Sequence, residues 1–82
     1  MNRKEFARIL RLKHQEGDHI LLSDKSDAYM RAYAYGITDA CNEILKSIGM
    51  EPSVTTFEQE LIDKRKQEIS DILRRSRMEK SA

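Results

Sequence analysis

The chain has one cysteine, Cys41, one proline, Pro52, no tryptophan and two phenylalanines in 82 residues. A lone cysteine excludes an intrachain disulfide, and without a second thiol or a CxxC pair nothing suggests a zinc site. No stretch reaches the roughly 18 consecutive apolar residues that a membrane-spanning helix requires. The opening MNRKEFARIL has neither a long apolar segment nor a small-residue cleavage site, so it does not match a secretory signal. A cytoplasmic protein follows as the expectation. A Gly-rich phosphate loop and a nucleophile–base pair are both missing, which argues against an enzyme, and no cofactor or metal is expected. There is no internal repeat.

What is present suits one small helical domain spanning residues 1–82. Apolar residues make up 39% and charged residues 35%, so the core must be thin. A chain of this size buries only about 60% of its unfolded surface, which makes a homodimer or higher oligomer an expected route to further burial.

The scarcity of glycine and proline leaves room for three helices, expected at about 3–16, 27–48 and 57–78. In the first, Asn2 and Glu5 have the spacing of a capping box and Met1 and Phe6 that of a hydrophobic staple. Phe6, Ala7, Ile9 and Leu10 form its apolar stripe, and Gly17 is the expected stop. His19-Ile20-Leu21-Leu22 then reads as an ordered, buried loop. Ser23, Asp24, Ser26 and Asp27 offer a choice of caps for the second helix, which ends at Gly49. Its apolar half carries Tyr29, Met30, Tyr33, Ala34, Gly36, Ile37, Ala40, Cys41, Ile44, Leu45 and Ile48, and its polar half Arg31, Thr38, Asp39, Asn42, Glu43 and Lys46. Thr55 or Thr56, with Glu58 or Gln59, would cap the third helix, which is long and charged and has a tail expected to fray at 79–82.

Charge is segregated. Residues 1–15 are net +4, residues 16–60 net −6 and residues 61–82 net +3. Basic ends around an acidic middle can serve an outside partner or satisfy one another. Mutual satisfaction is the expectation.

Several residues are candidates for function. Tyr35, with Arg31 one turn before and Asp39 one turn after, projects from the polar half of the second helix and forms a candidate protein-binding spot. Arg65 falls in the middle of the third helix's apolar face and needs an acid, a phosphate or a route to solvent. A structural pair with Glu58 or an acid of the second helix is expected there; an anionic ligand or a partner's carboxylate is the functional reading. Lys4, Arg8 and Arg11 form a basic row on the first helix that, with Lys64, Lys66, Arg74, Arg75 and Arg77, could contact phosphates. The pI of about 7.9 and the lack of a recognition-helix motif count against sequence-specific DNA binding. Gly36 and Ala40 allow close approach of a neighbouring helix. His14 and His19 flank Glu16 and Asp18, but their spacing fits no common metal site, so His14 is expected at the edge of the core and Cys41 within it.

The function expected from these features is a non-enzymatic protein-binding module, a small adaptor or inhibitor acting through a helical surface. The alternatives are nucleic-acid association through the basic terminal helices, and an oligomer holding a small anionic ligand such as a nucleotide near Arg65.

Overall fold

The computed structural model of the chain describes residues 1–53 and 58–81, with side chains described through Arg77. It is an all-α three-helix bundle: α1 is Arg3–Leu22, α2 Ala28–Ser47 and α3 Gln59–Ser81. Among the described residues no helix is long and apolar enough to cross a membrane.

The caps at both ends of α2 and the start of α1 follow the sequence signals. Asn2 Oδ1 accepts the Glu5 amide at 2.9 Å, and Asp27 Oδ1 accepts the Met30 amide at 2.9 Å. At the far end of α2 the Gly49 amide donates to Lys46 and the Met50 amide to Leu45, at 3.0 and 2.8 Å. This is a Schellman ending, and it requires the left-handed conformation that Gly49 adopts at φ 75°. Met1 is too exposed to act as a staple.

Gly17 does not stop α1, which continues through the His19–Leu22 segment expected to be a loop. The glycine faces α2, where an added Cβ would lie 2.8 Å from Thr38 Cγ2 and 3.3 Å from the Ala34 carbonyl oxygen. The helix therefore tolerates a residue unfavourable by about 1 kcal/mol because its missing side chain lets two backbones meet. With α1 completed, Leu21 becomes fully buried.

α1 and α2 run antiparallel along most of their lengths. Ala7 and Leu10 pack with Cys41 and Leu45 at one end, joined by Ile37, Ile48 and Met50. Leu21 and Ala34 pack with Ile62 of α3 at the other, joined by Ile20 and Leu22. α3 is anchored by Ile62, Arg65 and Ile69, whereas Ile72 and Leu73 are 49% and 50% exposed. Its backbone reaches Ser81, beyond the expected end at 78. The expected caps Thr55 and Thr56 and the expected start at Phe57 lie outside the described residues.

The buried face of α2 is not the most apolar one. Ala34, Thr38, Cys41 and Leu45 are buried, and Thr38 is 0% exposed. Tyr29 and Tyr33, assigned to the core by periodicity, are 88% and 57% exposed, and Met30, Gly36, Ala40 and Ile44 are exposed as well. Around Gly17 the close approach admits only small or slender side chains, Ala34 and Thr38, while Leu10 and Leu45 fill the wider end of the seam. On α1 Ala7 and Leu10 face the seam and are buried, whereas Phe6 and Ile9 fall on its flank and are exposed. Gly36, expected at a helix contact, faces open space, with nothing within 4 Å of an added Cβ.

Candidate functional site

Tyr35 is half-buried, between α2 and α3, with Lys66 Nζ 5.9 Å from its ring centroid. This corrects its expected outward placement, because α3 covers the flank of α2 on which Arg31, Tyr35 and Asn42 lie. Arg31 is half-buried too, its Nη2 donating to the Ser23 carbonyl at 3.3 Å. Asp39 is exposed, so the expected triplet is not displayed as one surface spot.

Arg65 is buried and bound to its own chain. Its Nη1 donates to the carbonyls of Leu21 and, at 3.4 Å, Ser23, and its Nη2 to Asp24 Oδ1 at 2.8 Å. The acid is therefore Asp24 of the α1–α2 connection, not Glu58 or an acid of α2. Two guanidinium groups, Arg31 and Arg65, converge on the C-terminal end of α1, whose carbonyls carry partial negative charge. Because Asp24 has a 93% exposed side chain, its ion pair with Arg65 is strongly screened, and the carbonyl bonds carry most of this attachment.

Within the basic row, Arg11 Nη2 donates to the Glu51 carbonyl at 3.1 Å, and Arg3 Nη1 to the Ile48 carbonyl at 3.3 Å. Lys4 and Arg8 are exposed. The basic terminus thus serves the C-terminal end of α2 through backbone carbonyls more than through its acids.

His14 is more deeply placed than a core-edge residue. Its Nδ1 is 3.3 Å from Asp18 Oδ2 and its Nε2 3.3 Å from Asn42 Nδ2. Burial holds its pKa below the ordinary histidine range, with Lys66 acting in the same direction and Asp18 and Asp39 opposing. His19 is exposed, and among the described residues no three His, Cys, Asp or Glu side chains come together as metal ligands. Cys41 is buried, which raises its thiol pKa and makes it a poor nucleophile.

One unassigned feature is apolar. Phe6 and Ile9 of α1 and Met30, Tyr33 and Ile44 of α2 are all exposed. They lie on the flank of the α1–α2 pair opposite the one that α3 covers. Ile37 marks this flank, its Cγ2 3.7 Å from the position of a Gly17 Cβ. Lys13 does so as well: its pKa is raised mainly by the hydrogen bond from its Nζ to Glu16 at 3.3 Å, with a further contribution from neighbouring Tyr33. A second apolar feature is a cleft of about 410 Å³ between the start of α2 and the outer half of α3, lined by Ala28, Tyr29, Ala32, Ile69, Ile72 and Leu73.

Sequence reasoning found the apolar residues of the open flank but assigned them to the core. The available clue was Gly17, since a glycine inside a helix that otherwise continues implies a tight seam. No family model matches the chain, and no curated protein or solved structure shows a significant likeness to it.

Proposed function

We propose that the protein is a non-enzymatic protein-binding module whose contact surface is the open flank of the α1–α2 pair. One observation carries this reading: five large apolar side chains, Phe6, Ile9, Met30, Tyr33 and Ile44, remain exposed on two adjacent helices. Isolated exposed apolar residues are ordinary, but a group along one flank favours a partner. The chemistry suits an apolar helix laid along the two-helix surface, with Tyr33 as the aromatic anchor and Lys13 and Glu16 at the polar rim. A protein of this kind acts as an adaptor or as an inhibitor that masks its partner's helix. A second copy of the chain is a partner of the same chemistry, and self-association is included in the reading.

The test is site-specific photocrosslinking from positions 9, 33 and 44 in the native host, with position 67 on exposed α3 as the control. The expected result is one discrete adduct shared by the three flank positions and lost with Met30→Lys. Adducts no stronger than those from position 67 would overturn the reading. The mass of the adduct distinguishes a second copy from a different protein.

A further inference from the structure

We infer that His14 and Asn42 form a proton-operated latch on the α2–α3 connection, closed on Ser53 while His14 is neutral and opened when it takes up a proton. The inference is independent of the proposed binding surface and rests on which atoms donate and which accept.

Asn42 holds Ser53 by both ends of its amide. Its Oδ1 accepts the Ser53 amide at 2.8 Å, and its Nδ2 donates to the Ser53 carbonyl at 3.3 Å. That pairing fixes the orientation of the Asn42 side chain, because turning the amide over would break both bonds. The second Nδ2 proton then points at His14 Nε2, 3.3 Å away. A donor in that position requires Nε2 to be the acceptor, so the neutral ring carries its proton on Nδ1, the nitrogen that stands 3.3 Å from Asp18 Oδ2. Each atom of the chain Asp18–His14–Asn42–Ser53 has one role compatible with its neighbours.

Protonation at Nε2 removes the acceptor and places two donors against each other. The conflict is resolved by turning the Asn42 amide so that Oδ1 receives the new His14 proton, and both bonds to Ser53 are lost in that movement. Asn42 thus exchanges one partner for another, and a change of one proton on α1 becomes the release of a backbone segment at the end of α2. Charged groups from every packed helix act on the ring: Asp18 of α1 and Asp39 of α2 favour protonation, and Lys66 of α3 opposes it. Burial is the largest influence and also opposes it, which keeps the latch closed at neutral pH and sets its opening below the ordinary histidine range.

The test is an NMR titration of the full chain from pH 7.5 to 5, following the His14 ring and the exchange protection of the Ser53 amide, corrected for intrinsic exchange. The expected result is a loss of Ser53 protection of about tenfold or more, beyond any loss at the Leu21 and Leu45 amides, that tracks His14 protonation. His14→Gln keeps an acceptor facing Asn42 and should abolish the acid response. In Asn42→Asp a carboxylate can accept from Ser53 and from protonated His14 together, so that variant should also hold Ser53 in acid. Ser53 protection that is constant while His14 titrates, that falls no further than that of the core amides, or that falls equally in both variants would overturn the latch.

Discussion

Gly17 and Thr38 set the distance between α1 and α2, since a Cβ on the glycine would stand 2.8 Å from Thr38 Cγ2. The methyl that would be struck belongs to a fully buried, β-branched residue whose hydroxyl donates to the Tyr35 carbonyl at 3.0 Å. It cannot swing aside without losing that bond. Gly17→Ala should therefore destabilise by about 1–3 kcal/mol despite the better helix propensity of alanine. Thr38→Ser removes Cγ2 and keeps the hydroxyl, so the double variant should recover much of the loss. Urea unfolding checks both, and a Gly17→Ala protein as stable as the parent would refute the tight seam.

The same substitution at Gly36 should have the opposite sign. Its added Cβ meets nothing within 4 Å, so the propensity gain of about 1 kcal/mol is not offset by a clash. A higher melting temperature for Gly36→Ala is the expected outcome.

Arg65 and Asp24 form a pair in which the two partners are of unequal weight. Arg65→Met removes the donor to the Leu21 carbonyl and one of the donors shared at the Ser23 carbonyl, and a loss of about 1–3 kcal/mol is expected. Asp24→Asn, at an exposed carboxylate, should change stability by less than about 1 kcal/mol. Comparable losses from the two variants would mean that the ion pair, not the capped helix end, holds α3.

Acid should weaken the fold through His14. Its folded-state pKa lies below the unfolded value of 6.5 because burial penalises the charged ring. The unfolded chain therefore binds more protons in that window, and stability falls as pH drops below about 6.5. Chemical denaturation at pH 7.5 and 5.5 should show a loss that is smaller in His14→Gln.

The tyrosines should separate by role. Tyr33→Glu is expected to leave stability within about 0.5 kcal/mol of the parent and to abolish crosslinking at the open flank. Tyr35→Ala removes the half-buried ring beneath Lys66, and should lower stability by about 1 kcal/mol or more while leaving the flank's partner in place.

The all-α class, the limits of α2 and its Gly49 ending are legible in the sequence, with Asp27 among four candidate caps, because capping chemistry is local. The length of α1 and the buried face of α2 are not. Gly17 is a terminator by local rules, and only the position of Thr38 on another helix turns it into a contact. Periodicity ranks faces by hydropathy, whereas the seam beside Gly17 selects for size; Thr38 and Ala34 fit there, and Tyr33 falls on the flank. Arg65 is recognisable as a residue in need of a partner, but the partners are carbonyls, which carry no signature in side-chain sequence. The open apolar flank was visible as composition and became informative only once the covered flank was known.

The attachment of Arg65 also imposes an order of assembly. Its acceptors on Leu21 and Ser23 are 44 and 42 residues away in the chain, and they take their positions only when the last turn of α1 has formed. The α1–α2 hairpin, closed by a short connection, can form from nearer contacts. α3 is therefore expected to dock onto a finished end, as the last element to arrive and the first to leave.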